Sequence, residues 1–511
     1  MGMNAAETFV QLIQYSIGVL IITIAANALW QQIPREKSEP PLVFHFLPFV
    51  GNAISYGTDP VKFYESCRQK HGDIFTFILF GRKMTVCLGT EGNELILNGK
   101  LQDVNAEEIY SPLTTPVFGK DIIYDCPNSK LMEQKKFVKF GLTQAALESY
   151  VPLIEQEVLA HLKSEFKGTS GRVNVSAVMS EITLFTASRA LQGSEVRRKL
   201  SAEFAEYYHD LDNGFKPINF LIPWAPLPHN RRRDAAREKM CGVYMDIING
   251  RREAQAAGEK PIEHDMISHL MSCVYKNGVS VPDQEVADMM ITMLMGGQHS
   301  SSSASAWIML RLAAHPDILE EVYQEQLQQL GPDTSSHLQY ADLEKLPLLN
   351  NVVKETLRVH SSIHSIMRKV KNPIAVPDTD YVITTDKVLV ASPIMTHLSQ
   401  GYFSRADIWD PHRWDAGQSK VEEEAEEDIV DYGYGATNKG TRSPYLPFGA
   451  GRHRCIGEKF AYVNLVTIIL TLVRNLKLGT IDGKSTVPAT DYSSLFSRPP
   501  LTAEIRYELR V

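Results

Sequence analysis

The most informative ten residues of the chain read Phe448-Gly449-Ala450-Gly451-Arg452-His453-Arg454-Cys455-Ile456-Gly457, near its carboxyl end. A helical pattern follows from Ala461 to Leu472, so the sulfur of Cys455 is expected at a helix N-terminus, where thiolate is favoured. The glycines let the backbone approach a flat ligand closely and point amide N–H groups at the sulfur. A lone cysteine on a turn is more often a buried structural residue. The complete pattern F-x-x-G-x-[R/H]-x-C-x-G instead favours a ligand cysteine.

The basic residues beside this cysteine can donate to carboxylates, and haem combines a flat face with propionate groups. The motif resembles that of the cytochrome P450 family, the haem-thiolate mono-oxygenases, and the resemblance extends over essentially the whole chain. It implies a mainly α fold with small β-sheets (α+β), in which haem b lies between a long central helix and the cysteine loop. His453 stands where most members have Arg, which weakens its propionate contact if the imidazole is neutral. The residues implied in cofactor binding here are Phe448, Gly449, Arg452, His453 and Gly457, with Cys455 as the iron ligand.

Length and composition allow a large enzyme. The chain has 511 residues, a mass of 57.3 kDa and 44% hydrophobic residues, enough for one very large domain or about two or three ordinary ones. The formal net charge of -8 gives no general attraction to polyanions, so nucleic acid is not an expected partner. The 6 cysteines include no C-x-x-C pair, which argues against a disulfide scaffold and favours a reducing compartment.

An uncharged apolar run from Phe9 to Trp30 is long enough to span a bilayer. A cleaved signal peptide is the alternative, because Ala26-Asn27-Ala28 resembles a cleavage site. The run is too long for a signal peptide, however, and Trp30 marks a membrane interface. Arg35 and Lys37 follow the run, which favours a cytosolic body. The sequence therefore predicts a single-pass anchor, and the family resemblance implies the endoplasmic reticulum membrane.

The predicted organisation has three parts and one insert. Residues 1–33 form the anchor, residues 34–57 a proline-rich hinge lying on the membrane, and residues 58–511 the catalytic domain. A surface insert is expected at about 415–443, because Glu422 to Asp428 is almost entirely acidic and cannot pack. Whether this insert binds a partner stays open.

The body of the chain is predicted to be mainly helical. Residues 72–89 alternate β-branched and aromatic residues around Gly81, which predicts a hairpin. Helical periodicity then extends from Ala145 to about Arg358. Within it, the run from Asp283 to about His315 predicts a central helix of roughly 50 Å.

A second family motif lies upstream of the cysteine loop. Glu355 and Arg358 match the family's E-x-x-R helix and share a helix face because they are three residues apart. Arg413 lies in a segment that resembles the family's partner loop, and it could complete a charge triad that clamps the cysteine loop. Such pairs are common on surface helices. The match is informative because of how far upstream of Cys455 the Glu355–Arg358 pair lies in the sequence.

The segment Met295-Gly296-Gly297-Gln298-His299-Ser300-Ser301 lies inside the predicted central helix. Mid-helix glycines are expected where a helix passes close to a bulky ligand or opens its hydrogen bonds to water. The P450 family usually has an acid followed by Thr here, whereas His299 and Ser300 resemble the filamentous fungal sterol 14α-demethylases. These two residues are predicted to relay protons to bound oxygen. The alternative is a helix kink in which polar side chains satisfy backbone groups.

Two further segments, Tyr110 to Gly119 and Tyr124 to Ser129, resemble the substrate-wall loop of the fungal sterol 14α-demethylases. The resemblance implies that haem propionates are held by Tyr110, Tyr124, Lys135, Arg368 and His453. It also implies an apolar sterol cavity lined by Leu113, Phe118, Ile123, Tyr124, Phe215, Phe220, Met293, Gly296, Ile363, Ser365, Leu495 and Phe496. Without the resemblance, nearly all of the wall residues would be read as core.

The implied activity is removal of the 14α-methyl group of lanosterol or eburicol in ergosterol biosynthesis. The family performs it in three successive oxidations, releasing formate and forming a 14,15 double bond. The resemblance also implies that electrons from NADPH arrive through a separate cytochrome P450 reductase, and the chain accordingly has no G-x-G-x-x-G fingerprint. Membrane lipid is the expected sterol reservoir, and azoles are expected inhibitors.

Three alternatives stay open at this stage. One is a reductase-independent haem-thiolate isomerase or dehydratase acting on a preoxidised lipid. Another is a membrane haem protein that binds sterols without chemistry. The third is a xenobiotic mono-oxygenase with a plastic pocket.

Overall fold

A computed structural model describes residues 5–199, 202–259, 265–333, 336–416, 429–438, 440–494 and 496–510. Its helices are α1 (Ala5–Trp30), α2 (Ala53–Thr58), α3 (Pro60–His71), α4 (Gly89–Leu97), α5 (Glu107–Phe118), α6 (Asn128–Val138), α7 (Gln144–Glu165), α8 (Val175–Ala187), α9 (Ser194–Lys199), α10 (Ala202–Asp212), α11 (Pro228–Ala256), α12 (Met266–Ser272), α13 (Asp283–Ala314), α14 (Pro316–Leu330), α15 (Tyr340–Glu344), α16 (Pro347–Val359), α17 (Pro393–His397) and α18 (Glu458–Asn475). Its strands are β1 (Ile74–Leu79), β2 (Arg82–Cys87), β3 (Val104–Asn105), β4 (Ser170–Asn174), β5 (Ile366–Val370), β6 (Ile374–Ala375), β7 (Val382–Ile383), β8 (Lys387–Ala391), β9 (Ile429–Asp431), β10 (Ala436–Asn438), β11 (Leu476–Thr480) and β12 (Glu504–Leu509). The predicted class, mainly α with small sheets, is confirmed.

The chain divides into two compact units. The first contains Met1–Ala106 and His364–Thr396, and the second contains Glu107–Ile363 and His397–Val511. Residue 58, the predicted start of the catalytic domain, is therefore not a boundary between these units.

A five-stranded sheet organises the first unit, in the order β1-β2-β8-β5-β3. The predicted hairpin is formed by β1 and β2, with Leu79 paired to Arg82. The two residues between them, Phe80 and Gly81, have positive φ values of 49° and 75°. A two-residue type I′ turn requires positive φ at both positions, and glycine adopts it without strain. The hairpin turn therefore lies at the predicted glycine.

The anchor helix is tied to the proline-rich segment that follows it. The Asn27 side-chain amide donates to the carbonyl oxygens of His45 and Phe46 at 2.8 and 3.0 Å. Gln31 donates to the His45 carbonyl at 2.7 Å and accepts from its N–H at 3.0 Å. Among the described residues, Phe9–Trp30 is the one helical stretch long and apolar enough to cross a membrane. The segment predicted as a hinge is thus hydrogen-bonded to the end of this helix.

The second unit is built around α13, which packs against α8, α11 and α18. Most of its residues are buried, including polar ones such as Asp288, Gln298 and Ser305. Trp307 is fully buried, and its ring stacks on His360 with centroids 3.7 Å apart. Burial, together with the charges of Arg311 and Arg358, holds the pKa of His360 well below its ordinary value. The helix ends at Ala314, close to the predicted position, because a proline begins the next helix.

The segment predicted as a wall loop begins as a helix. It forms α5 although Pro112 and Pro116 lie inside it, and acidic residues occupy its first turn, where the helix dipole favours them. The Thr115 hydroxyl donates to Asp125 at 2.8 Å. Asp125 ends a short 3₁₀ turn, Ile123–Asp125, so the wall consists of a helix tied to a turn.

The predicted acidic insert is described at its edges. Residues 417–428 and residue 439, which include the acidic run, lie outside the described residues. The strands β9 and β10 pair antiparallel with Ala436 opposite Asp431. Asp431 accepts from the N–H groups of Gly433 and Gly435 at 2.7 and 2.9 Å, which closes the turn between them.

Candidate active site

Cys455 lies in a tight loop immediately before α18. Its N–H donates to the carbonyl of Phe448 at 3.0 Å, which closes the loop. Gly449 and Gly451 have left-handed φ values of 66° and 67°, a conformation that glycine adopts without strain. Helix α18 begins at Glu458, so the cysteine precedes a helix N-terminus as predicted.

The surroundings of the Cys455 sulfur act on its pKa in opposite directions. The residue is exposed, whereas the other five cysteines are buried. Desolvation raises the pKa of the Cys455 thiol, while the Gly457 N–H and the charges of Lys135 and Arg454 lower it by less. The expectation that the helix N-terminus favours thiolate at Cys455 stays a prediction. Iron ligation reverses this balance, because a coordinated thiol is deprotonated outright.

Lys135 of α6 holds the cysteine loop through its backbone. Its Nζ donates to the carbonyl oxygens of Arg452 and Arg454 at 3.0 and 3.2 Å. The same atom lies 4.9 Å from the centre of the Tyr434 ring. Arg452 lies over the Tyr432 ring at 4.8 Å. The propionate contacts expected of Lys135 and Arg452 stay predictions, and both side chains have these contacts within the protein.

Three predicted cofactor residues form one cluster of tilted rings. The rings of Tyr110 and Tyr124 lie 5.1 Å apart at 32°. The Tyr124 ring lies 5.8 Å from the His453 imidazole at 39°. Helix α5, the wall turn and the cysteine loop therefore bring two phenols and one imidazole together, and these groups can donate to carboxylates.

The E-x-x-R motif is a fully buried ion pair. Arg358 donates to both carboxylate oxygens of Glu355, at 2.7 and 2.9 Å. Its Nη1 also donates to the carbonyl of His397 at 2.6 Å. Further bonds reach the carbonyl oxygens of Ala406 and Ile408. The guanidinium charge is therefore matched by a carboxylate, and its remaining N–H groups by backbone carbonyls, as a buried pair requires.

Arg413 completes the predicted triad, because its Nε donates to Glu355 at 3.3 Å. The link to the cysteine loop runs through a residue that the sequence did not predict. The Nε2 atom of His397 accepts the N–H of Leu446 at 2.8 Å, just before the loop. Burial and the charge of Arg358 lower the pKa of His397 to about 3, which keeps Nε2 an acceptor.

The central helix carries the predicted proton relay. His299 Nδ1 lies 3.0 Å from a carboxylate oxygen of Asp212, the last residue of α10. The Ser300 hydroxyl donates to the Gly296 carbonyl at 3.2 Å, which is the contact that the helix-kink alternative expects. Gly296 is exposed within this largely buried helix, and a Cβ added there would meet no described atom within 4 Å. The helix thus borders open space at the position predicted for ligand contact.

Aromatic side chains connect the wall to this helix. The Phe118 ring lies 5.6 Å from Phe215, and Phe215 lies 5.5 Å from Phe496. Phe496 lies 4.3 Å from the His299 imidazole. The structure therefore brings together four residues that were predicted to belong to the site.

The other predicted wall residues differ in exposure. Leu113 is 1% exposed, as a core residue would be, and Ile363 is 42% exposed. Phe220 and Met293 are partly buried against the same apolar cluster. Leu495 lies outside the described residues. Their contact with a sterol stays a prediction.

Two predicted residues, Ser365 and Arg368, belong to the first unit. Ser365 is buried, and its hydroxyl lies 2.7 and 3.1 Å from the hydroxyls of Tyr64 and Tyr56. It also lies 2.8 Å from Nδ1 of His364, so its hydrogen-bonding capacity is filled within this unit. Arg368 is 4% exposed on β5.

The donor set of the second unit fits haem. Among the described residues, no group of three or more His, Cys, Asp or Glu could hold a metal ion alone. A haem iron brings its porphyrin nitrogens and needs one strong protein ligand, and Cys455 offers a sulfur held by a glycine loop. The ring cluster of Tyr110, Tyr124 and His453 supplies donors suited to propionates.

Sequence reasoning missed Asp212 and His397. Each lies in a helix whose local pattern carries no sign of the site, and long-range packing brings Asp212 to His299. For His397, the THLS segment after the proline at 393 gave no recognisable motif. In the structure the His397 carbonyl accepts from Arg358 and its imidazole accepts from the N–H of Leu446, so His397 links the buried ion pair to the cysteine loop.

A sequence profile of the cytochrome P450 family matches residues 40–507. The curated sterol 14-alpha demethylase CYP51A of Gibberella zeae is 64% identical over 506 residues, covering 98% of this chain and 99% of the relative. The eburicol 14-alpha-demethylase of Penicillium italicum is 57% identical over 503 residues, covering 97% of each chain. The solved structure of retinoic acid bound cyanobacterial CYP120A1 has a similar fold, with a TM-score of 0.75 at 19% identity, and the match covers 93% of this chain and 100% of that one. The cysteine loop, the buried E-x-x-R pair and the extent of these matches together mean that the chain belongs to the cytochrome P450 family.

Proposed function

We propose that this protein is a sterol 14α-demethylase that removes the 14α-methyl group of lanosterol or eburicol. The overall change is three successive oxidations, with release of formate and formation of a 14,15 double bond. The observation that carries the proposal is the identity of 64% and 57% to curated sterol and eburicol 14α-demethylases over nearly their whole lengths.

Substrate binding follows from the apolar wall. A sterol is almost entirely hydrocarbon, so burial supplies its affinity and a few polar groups supply its orientation. The contacts between Phe118, Phe215 and Phe496 support this role, because they continue to His299 on the central helix. The absence of a side chain at Gly296 leaves room for the ligand beside that helix.

The chain's own residues would hold the cofactor and move protons. Cys455 would ligate the iron, and Tyr110, Tyr124 and His453 would bind propionates, with Lys135 as a charged donor. The chemistry that thiolate-ligated haem supplies when bound is activation of dioxygen, with O–O cleavage favoured. His299 and Ser300 deliver protons to the reacting oxygen, and Asp212 orients the His299 ring through Nδ1.

The electron source and the membrane complete the proposal. Electrons from NADPH arrive through a separate cytochrome P450 reductase. The apolar helix anchors the protein in the endoplasmic reticulum membrane with its body on the cytosolic side, and lipid serves as the sterol reservoir. Phe44, Phe46 and Phe49 support a second membrane contact, because all three are exposed close to the hydrogen bonds that hold the anchor.

Reconstitution tests this function. Full-length protein, cytochrome P450 reductase and NADPH are combined with lanosterol or with eburicol, and the products are analysed by mass spectrometry. The 14-demethylated sterol and formate are expected, and adding an azole should shift the haem absorption and inhibit turnover. Turnover without NADPH would favour the isomerase alternative, and tight sterol binding without oxygen consumption would favour a sterol-binding protein. Oxidation of drugs but of neither sterol would favour the xenobiotic enzyme.

A further inference from the structure

The side chain of Gln134 on α6 is buried, and its amide has partners on all sides. Its Oε1 accepts the N–H of Ile123 at 3.1 Å. Its Nε2 donates to the carbonyl of Asp121 at 2.9 Å and to the hydroxyl of Tyr275 at 3.1 Å. That hydroxyl donates to Glu285 at 2.5 Å. One glutamine therefore joins the wall turn to the beginning of α13.

The backbone that Gln134 holds is strained. Asp121 and Ile123 have φ values of 62° and 48°. The left-handed region is unfavourable for residues other than glycine, and most of all for a β-branched residue such as Ile. Such a conformation persists where its surroundings over-determine it. Gln134 brackets the turn, because it pairs with the carbonyl of one strained residue and the N–H of the other.

The bracketed turn leads directly into Tyr124. The Tyr124 ring lies 5.1 Å from the Tyr110 ring and 5.8 Å from the His453 imidazole, tilted against both. Lys135, the neighbour of Gln134 on α6, donates to two carbonyls of the cysteine loop. Successive residues of one helix thus hold the wall turn and the cysteine loop.

We propose that Gln134 is a positioning residue of the active site. It holds Asp121 and Ile123 in their left-handed conformations and thereby sets Tyr124 relative to the cysteine loop. Gln134 acts through Tyr124 and not on the reacting atoms. That the active-site ligand is a 14α-methyl sterol rests on the proposed function.

The test compares Gln134→Met with Gln326→Met in the full-length holoprotein. Gln326 is a fully buried glutamine on α14 whose amide atoms have no hydrogen-bond partner among the described residues, so it controls for replacing a buried amide. Three quantities are measured. They are the site-resolved hydrogen exchange of the Ile123 amide, the sterol dissociation constant from spectral titration, and the carbon monoxide difference spectrum. Gln134→Asn is made as a second variant, because it keeps the amide but is one methylene too short to reach all partners.

For Gln134→Met we expect the Ile123 amide to exchange at least about tenfold faster and the sterol dissociation constant to rise about tenfold, the effect of one lost buried hydrogen bond. The carbon monoxide spectrum should be unchanged, and Gln326→Met should match the wild type in all three measurements. If Gln134→Met yields no holoprotein, Gln134→Asn must show the same faster exchange and weaker binding. Wild-type exchange at Ile123 in the Gln134 variants would overturn the proposal. If the Gln134 variants show faster exchange at Ile123 but the wild type binds no 14α-methyl sterol, the positioning role is supported and the proposed function is refuted.

Discussion

Nδ1 of His299 lies 3.0 Å from a carboxylate oxygen of Asp212, so a side chain of the central helix meets the end of α10. Burial raises the pKa of Asp212, but the neighbouring His299 and Arg498 side chains outweigh it, and the pKa lies below its ordinary value. Asp212 is therefore ionised at neutral pH and can orient the imidazole throughout turnover.

Replacing Asp212 tests whether this pair serves proton delivery. Asp212→Asn should lower kcat by about 10- to 100-fold, because a misoriented general acid loses much of its contribution. The sterol dissociation constant should change by less than about twofold, since the carboxylate is not part of the apolar wall. Asp210→Asn is the control, because Asp210 pairs at the surface with Arg232 at 3.2 Å. Equal turnover in the two variants, measured with saturating reductase, would refute a role for the pair.

Substitutions at the two neighbouring glycines of α13 distinguish an effect on stability from an effect on ligand binding. An added Cβ at Gly296 meets no described atom within 4 Å, and one at Gly297 lies 3.4 Å from Leu191. Both Gly→Ala changes should therefore leave stability unchanged or raise it by up to about 1 kcal/mol, the helix propensity difference. Gly296→Ala should weaken sterol binding about tenfold, because its methyl group occupies ligand space, whereas Gly297→Ala should not. Spectral titration measures both, and tighter or equal binding by Gly296→Ala would contradict the assigned site.

The buried clamp should dominate the stability of the second unit. Arg358→Ala leaves the Glu355 carboxylate buried without its main partner, so the free energy of unfolding should fall by about 3 to 5 kcal/mol. Lys477→Ala removes one partner of an exposed pair with Glu508 at 3.7 Å and should cost less than about 1 kcal/mol. Urea unfolding followed by fluorescence compares the two variants. Similar losses in both would mean that the triad does not carry this stability.

Acidification should destabilise the protein through its buried histidines. Burial and Arg358 lower the pKa of His397 to about 3, and burial lowers that of His364 to about 4. An unfolded histidine titrates near pH 6.5, so below that pH the unfolded chain binds protons that the folded protein does not. Stability therefore falls as the pH drops from about 6.5 towards 4, by about 1.4 kcal/mol per pH unit for each such histidine.

The variant His397→Gln isolates one of these contributions. Glutamine keeps an acceptor for the N–H of Leu446 but cannot bind a proton. The slope of the unfolding free energy against pH should therefore decrease by the contribution of one histidine. Urea unfolding between pH 7 and pH 5 measures this slope. An unchanged slope would show that His397 does not titrate on unfolding.

Local patterns predicted the parts of the site that depend on a single segment. The cysteine loop and the start of α18 follow from the spacing of glycines, cysteine and apolar residues, and the central helix ends where Pro316 forces it to end. The predicted triad of Glu355, Arg358 and Arg413 also forms. In these cases the residues that determine the structure are close in sequence or belong to one family motif.

The remaining features depend on packing between distant segments. Nothing near Asp212 marks it as the partner of His299, and nothing near Gln134 indicates that it brackets Ile123. Such contributions become apparent once side chains from separate elements are placed together.

The most direct test of the central claim is the carbon monoxide difference spectrum of reduced protein, recorded for the wild type and for Cys455→Ser, alongside turnover of a 14α-methyl sterol. The wild type is expected to show the spectrum of thiolate-ligated haem and to demethylate the sterol, and the serine variant is expected to lose both. An unaltered spectrum with undiminished oxidation in Cys455→Ser would contradict the assignment of this sulfur as the iron ligand and every role derived from it.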